Sequence, residues 1–182
     1  DEDVDFEKYP HAVSVRLAES IQPIDRGERY EDPLDEALTE HDLGVVTGRG
    51  SQLSAQGEVL FARLDLQLAN LDRAVTLVRQ VIEEAGAAVG SAIELENDGE
   101  REENGIGTQQ AVTIYLEGTS LPDDVYEQSD VNVLAGAIGA ALETGSLGEL
   151  RGYWSGPTET ALYIYGPSAE RTFAAVEPVV PG

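Results

Sequence analysis

The feature that most limits how this chain can fold is an internal repeat, because a duplicated sequence builds the same supersecondary unit twice. Three short segments recur in the same order at a nearly constant offset. The matched segments are residues 11–17 with 110–116, 43–48 with 147–152, and 64–67 with 162–165. We therefore predict two similar halves, at 11–96 and 109–182. An acidic leader over 1–10 precedes them, and a polar, glycine-bearing linker over 97–108 joins them.

Hydrophobic periodicity predicts the elements of the first half. Val13, Val15 and Leu17 alternate with polar residues, which is typical of a half-buried strand. The longest alternation runs over 59–68, with Leu60 predicted on its apolar side. The predicted order is a strand within 11–17, a helix capped by Asp32 and closed by Gly44, strands at 45–50 and 59–68, a helix capped by Asn70 and closed by Gly86, and a strand at 89–95.

The second half repeats this order but stops early. Its predicted elements are strands at 110–117, 147–154 and 159–165 and helices at about 130–143 and 168–177. Pro178 and Pro181 interrupt the chain after the last helix, so a clear last strand is missing. Strand, helix, strand, strand, helix, strand is the ferredoxin-like βαββαβ order. We therefore predict an α+β protein of two ferredoxin-like halves with antiparallel sheets.

This pattern resembles tandem ferredoxin-like proteins of the α+β-barrel type. In those proteins two such halves bring their sheets face to face. The resemblance covers most of the chain and rests on topology, so it implies a fold and names no activity.

The charge of the chain bears on its partners. Its 35 acidic and 11 basic side chains give a formal net charge of −24 at pH 7. This net negative charge repels the phosphate backbone of a nucleic acid, so we expect no nucleic-acid partner. Three explanations of the acidity stay open, namely recognition of a basic partner protein, a salt-adapted, lysine-poor surface, and an ordinary solvated acidic surface.

Other classes of chemistry are excluded or lack a signal. The absence of cysteine excludes disulfides, thiolate metal sites and a cysteine nucleophile. No apolar run approaches the roughly 20 residues that cross a bilayer, and the acidic start is unlike a signal peptide, so we expect no membrane contact and a cytoplasmic location. His11 and His41 are isolated, and no phosphate-binding loop or nucleophile elbow occurs. We therefore expect no metal, no cofactor and no catalytic residue.

Strand alternation places aromatic and charged side chains on the sheet faces that helices leave uncovered. The candidate binding residues are Arg16, Arg63 and Asp65 in the first half and Tyr115, Arg151, Trp154, Tyr163 and Tyr165 in the second. A face of this composition is usually buried against something. The two faces could pack on each other, pack on a second copy of the chain as a homodimer, or enclose a cleft.

Two functions are compatible with these residues. We favour a non-catalytic binding protein or inhibitor of a basic protein, in which carboxylates steer the encounter and tyrosines supply contact area. The alternative is a small-molecule-binding protein or an enzyme that uses a cleft lined by tyrosine and arginine. There Arg16 or Arg63 would hold an anionic substrate and a tyrosine would donate a proton.

Overall fold

The computed structural model describes residues 4–97, 99–118 and 131–180. Residue 130, the predicted start of the first helix of the second half, and Pro181 lie outside this part of the chain. The chain divides into two compact units. The first comprises Asp1–Ser54 and Val59–Thr108, and the second comprises Ala55–Glu58 and Gln109–Gly182.

The first unit is a five-stranded antiparallel sheet with helices against one face. Its strands are β1 His11–Leu17, β2 Gly44–Leu53, β3 Val59–Leu68, β4 Ser91–Asn97 and β5 Glu100–Ile106. Its helices are α1 Pro23–Arg26, α2 Asp32–Glu40 and α3 Leu71–Glu84, with a π-helical stretch at Gly27–Glu31. The sheet order is β2-β3-β1-β4-β5, and the first four strands have the ferredoxin-like arrangement. The predicted fold class is confirmed for this half.

The linker predicted over 97–108 is wrong, because β5 forms there and pairs with β4 as a hairpin. Six of the seven residues of β5 stay at least partly exposed, and its apolar residue Ile106 is buried. Backbone hydrogen bonds to β4 hold such an edge strand without an apolar face, so hydrophobic alternation could not reveal it.

The predicted cap at Asp32 is also wrong. The helical segment begins at Pro23, a residue suited to a first turn, and continues through the π-helical stretch. Asp32 therefore has helical angles (φ −64°, ψ −49°) inside a continuous segment. The chain turns at Asp42 (φ 55°), and Gly44 starts β2 instead of closing the helix.

The second predicted helix is confirmed at both ends. The Asn70 side chain accepts a hydrogen bond from the backbone N–H of Arg73 at 3.4 Å. Gly86 follows the helix with a φ of 84°, a left-handed conformation that glycine adopts without steric cost.

The core of the first unit lies between the sheet and helices α2 and α3. The fully buried large side chains include Leu17, Ile21, Tyr30, Leu34, Leu38, Leu64, Leu66, Leu68, Ile82 and Ile93. Leu60 departs from the predicted alternation and is 52% exposed. The β2–β3 register shifts beside it, between Gln52 and Leu53, and a bulge of this kind turns a side chain away from the core.

The second unit repeats the topology with three strands. Its elements are β6 Gln110–Glu117, α4 Val131–Glu143, β7 Glu149–Ser155, β8 Glu159–Gly166 and α5 Ala169–Val176. The order β6-β8-β7 matches β1-β3-β2 of the first unit, as the duplication requires. After α5 the described chain forms a 3₁₀ turn at Glu177–Val179, and within 131–180 no further strand follows. No helix in the described ranges has the length and apolar character to cross a membrane.

Candidate functional site

The face of the first sheet opposite its helices carries a group of charged side chains. Directly paired residues of antiparallel strands point to the same side. Ser14 on β1 therefore shares this face with its neighbours Asp65 on β3 and Glu94 on β4. Arg16 lies directly opposite Arg63. The structure thus brings the three predicted residues of the first half together.

Glu94 is the centre of this group, although it is not among the residues predicted from the sequence. Its side chain is 5% exposed. Arg16 Nε donates to Glu94 Oε1 at 3.2 Å, and Arg63 Nη1 donates to Oε2 at 3.4 Å. Arg101 of β5 also contacts Oε2. On β4 the carboxylates Glu94 and Glu96 alternate with the apolar residues Ile93 and Leu95, and this alternation is the sequence signal for the orientation of Glu94.

Two further carboxylates complete the arrangement. Arg16 Nη2 donates to Glu103 Oε1 at 2.6 Å, and Arg63 Nε donates to Asp65 Oδ1 at 2.9 Å. The Ser14 hydroxyl links Arg63 to Asp65, since it accepts from Arg63 Nη2 at 2.6 Å and donates to Asp65 Oδ1 at 2.7 Å. We call Arg16, Arg63, Arg101, Asp65, Glu94 and Glu103 the Glu94 cluster. Its three guanidinium groups balance its three carboxylates.

The carboxylates of Glu94 and Asp65 are both ionised at neutral pH. Burial acts to raise the pKa of Glu94, but hydrogen bonds from Arg101 and Arg16 outweigh it and bring the pKa below its ordinary value. Burial also acts to raise the pKa of Asp65, but the hydrogen bonds from Arg63 and Ser14 outweigh it, so this pKa also lies below its ordinary value. Carboxylates with lowered pKa values are poor general acids or bases near pH 7.

A cavity of about 390 Å³ borders the Glu94 cluster. Thr47, Arg63, Glu94 and Arg101 are among its lining residues. An anion entering here would compete with carboxylates already bound to the guanidinium groups. The cavity therefore offers little free positive charge.

The second sheet presents an aromatic face. Tyr163 and Tyr165 on β8 are buried, at 3% and 4% exposure. Tyr115 on β6 and Trp154 on β7 both pair with Ala161, so they share this face with the two tyrosines. Tyr115 is 52% exposed. The structure thus places the four predicted aromatic residues on one side of the sheet.

Arg151 is packed against this aromatic face. Its guanidinium carbon lies 4.8 Å from the centre of the Tyr165 ring, within range of a cation–π interaction. Its Nε donates to Glu149 Oε2 at 3.2 Å. The side chain of Arg151 is 5% exposed, so its charge is satisfied internally rather than presented to solvent.

Two tyrosine hydroxyls converge on Glu58, which clusters with the second unit. Tyr115 donates to Glu58 Oε1 at 3.0 Å and Tyr163 donates to the same atom at 2.7 Å. Burial, followed by the hydrogen bond and charge of Glu58, raises the pKa of Tyr115. A phenol with a raised pKa is a weaker proton donor near neutral pH.

The predicted residues therefore form two groups, one in each unit. The sequence analysis did not place Glu94, Arg101 and Glu103 at the site. Arg101 and Glu103 were not found because they fall in the segment predicted as a linker. Within the described ranges, no three histidine or carboxylate side chains are arranged to hold a metal ion.

Comparisons with known proteins add a limited result. No protein-family model matches the chain, and no curated protein matches its sequence. Among solved structures, the ligand-free regulatory subunit of aspartate kinase from Thermus thermophilus is 13% identical, with a TM-score of 0.29 over 94% of each chain. The corresponding subunit from Thermus flavus is 12% identical, with a TM-score of 0.28 over 93% of this chain and 92% of that chain.

An unknown protein from Galdieria sulphuraria is 13% identical, with a TM-score of 0.28 over 93% of this chain and 91% of that chain. Similarities of this size carry no argument about activity. The class of the protein is defined by its own strand orders, which are those of duplicated ferredoxin-like halves.

Proposed function

We propose that this protein is a non-catalytic binding protein for a cationic partner protein. The observation that carries the proposal is that its positive charges are largely neutralised within the chain. At least eight of its 11 basic side chains form internal ion pairs. They are Lys8, Arg16, Arg26, Arg49, Arg63, Arg79, Arg101 and Arg151.

The negative charges are distributed differently. Five exposed carboxylates recur every three or four residues along the helical segment from α1 to α2, at Asp25, Glu28, Asp32, Glu36 and Glu40. Among the residues that the structure describes, none of these five forms an ion pair. Unpaired carboxylates produce a negative potential that extends about 8–10 Å into physiological salt and accelerates encounter with a positively charged surface.

The alternative function has less support from the same contacts. Arg16 and Arg63 would have to release Glu94 before they could hold an anionic substrate. The hydroxyls of Tyr115 and Tyr163 already donate to Glu58. A catalytic cleft would need at least one of these groups to be available to a substrate.

A salt-adapted surface would also be acidic, and salt separates the two explanations. Electrostatic recognition weakens as ionic strength rises, because each charge is screened within about one Debye length. A surface adapted to salt instead gains stability when salt relieves the repulsion among its carboxylates. Complex formation and folding stability should therefore be measured over the same range of salt.

The test is capture of a partner by the full chain, followed by titration with that purified partner. A triple variant replaces Glu28, Glu36 and Glu40 by Gln, and a matched control replaces Glu117, Glu143 and Glu177, which are also exposed. We expect the first variant to slow association several-fold and the control to change it little. A partner without excess positive charge, or equal effects of both variants, would overturn the proposal.

A further inference from the structure

A groove runs along the first unit between α3 and the β4–β5 hairpin. It encloses about 870 Å³, within the range of pockets that bury a ligand or a short peptide. The residues that define its chemistry are Leu71, Asp72, Val75, Leu95 and Glu102. None of them belongs to the Glu94 cluster, and none of them is among the binding residues predicted from the sequence.

The groove follows from the addition of β5 to a four-stranded fold. A ferredoxin-like unit has four strands and two helices, and here β5 adds a fifth strand at the edge of the sheet, beside β4. At one end α3 is tied to the chain around β5, since Arg79 Nη1 donates to the Gly105 carbonyl at 3.0 Å and Glu83 accepts from the Gly107 N–H at 3.3 Å. Among the described residues, no such hydrogen bond joins the first turn of α3 to β4 or β5, and the groove is open to solvent there.

The floor and the rim of the groove differ in character. Leu71, Val75 and Leu95 pack against the core below but remain partly exposed above, which makes an apolar floor. The exposed carboxylates of Asp72 and Glu102 form the rim, and in the described ranges neither of them has an ion pair. Glu96 pairs with Arg101, so its side chain shares the opposite face of the sheet with the Glu94 cluster. Such a site attracts a ligand that combines an aliphatic group with positive charge.

The side chain of Arg79 also lines the groove, but its charge is already paired within the chain. Arg79 is held by the Gly105 carbonyl and by Glu83, whose Oε1 lies 3.4 Å from Arg79 Nη1. The net field of the groove is therefore negative. An anionic ligand would be repelled by the two rim carboxylates.

The outer edge of β5 gives the groove a peptide-binding element. β5 is seven residues long and is the last of five strands, so among the described strands one side of its backbone has no neighbour. An extended segment can add to such an edge through main-chain hydrogen bonds. Alternate side chains of the added strand would then point to the helix side, over the groove.

We propose that this groove and the β5 edge bind an extended basic segment of the partner protein, with an aliphatic side chain on the Val75 floor and, two residues to either side on the same face, arginine or lysine side chains at Asp72 and Glu102. The inference rests on the proposed function, because it names the part of the cationic partner that is recognised. It also places recognition on a defined surface, separate from the acidic residues of α2.

The probe is a capped heptapeptide, Ser-Arg-Ser-Val-Ser-Arg-Ser, the length of β5, titrated calorimetrically into the full chain at about 0.1 M salt. Its valine and both arginines share one face when the peptide is extended. The same peptide with serine in place of valine tests the apolar floor at the same charge. The variant Asp72→Asn/Glu102→Gln tests the rim. Its control is Glu143→Gln/Glu177→Gln, which makes the same change in net charge at exposed positions of the second unit. Circular dichroism verifies that both variants fold.

We expect the rim variant to weaken binding of the valine peptide roughly tenfold, which corresponds to about 1.4 kcal/mol, and the control variant to weaken it less than about twofold. The serine peptide should bind several-fold more weakly than the valine peptide. Equal losses in both variants, or equal affinity for both peptides, would overturn the groove while leaving the proposed function standing. Absence of valine-peptide binding would also overturn it, and the partner titration decides the proposed function independently.

Discussion

Arg16 and Arg63 lie directly opposite each other on neighbouring strands, and both guanidinium groups donate to the carboxylate of Glu94. Like charges in directly opposed positions destabilise an antiparallel pair. Glu94 removes that repulsion, because one buried carboxylate lies within hydrogen-bond distance of both arginines. The Glu94 cluster is therefore a structural feature of the uncovered sheet face, and its arginines are held in place rather than offered to a ligand.

Replacing Glu94 by Gln should destabilise the first unit. The substitution keeps the shape of the side chain but leaves Arg16, Arg63 and Arg101 with one counter-charge fewer. Breaking a buried ion pair costs about 3–5 kcal/mol, and since the three arginines are partly hydrated we expect a loss of about 2 kcal/mol. Urea denaturation followed by circular dichroism measures it.

The matched control is Glu103→Gln, which removes a carboxylate from the rim of the same cluster. Glu103 is 53% exposed, and exposed ion pairs contribute about 0–1 kcal/mol. We expect a loss within that range. If both variants lost the same free energy of unfolding, Glu94 would not be the centre of the cluster.

The stabilisation by Glu94 should depend on pH in a defined direction. Its folded-state pKa lies below the ordinary value of 4.5, so its ionised form stabilises the fold above about pH 4.5. That contribution is lost as the pH falls through the lowered folded-state pKa. The difference in unfolding free energy between the wild type and Glu94→Gln should be constant from pH 7 to about pH 5 and shrink below it. A difference that grew on acidification would contradict the assignment.

Hydrophobic periodicity was sufficient to predict most of the fold. Alternation predicted β1, β3, β6 and β8, and Asn70 and Gly86 bounded α3, because these signals act over a few residues of sequence. β5 and the π-helical stretch at Gly27–Glu31 were missed. The first is held by backbone pairing with β4, and the second has no distinctive residue pattern.

The sequence was sufficient to predict which residues share the uncovered sheet face, but not which of their side chains contact each other. Alternation correctly placed Arg16, Arg63 and Asp65 on the uncovered side of one sheet. Which carboxylate neutralises which arginine depends on how β4 and β5 register against strands distant in sequence, and nothing local in the sequence encodes it. The free charge expected of a binding cleft was therefore overestimated, because Glu94 had not been identified.

Replacing Gly136 by Ala should stabilise the second unit. Gly136 lies inside α4, and a Cβ built at this position meets no atom of the described residues within 4 Å. Alanine reduces the backbone entropy of the unfolded chain and favours the helix by about 0.5–1 kcal/mol. Thermal unfolding monitored by circular dichroism should show a higher midpoint. A lower midpoint would mean that this face of α4 is covered.

Replacing Gly156 by Ala should displace Trp154. A Cβ at this position would lie 2.1 Å from Cη2 of the indole ring, closer than two carbon atoms can approach. The partly buried ring must move, at a cost of about 1–3 kcal/mol, and enter more water. Because Trp154 is the single tryptophan, fluorescence emission reports its environment directly and should shift to longer wavelength.

A double-mutant cycle separates this steric effect from a change in the β7–β8 turn. In a Trp154→Ala background the ring is gone, so adding Gly156→Ala should cost much less unfolding free energy than it does in the wild type. Gly50→Ala serves as a control, since a Cβ there meets no atom of residues 4–97, 99–118 or 131–180 within 4 Å and the emission should not change. An equal cost of Gly156→Ala in both backgrounds would show that glycine is required by the turn itself and not by the packing of Trp154.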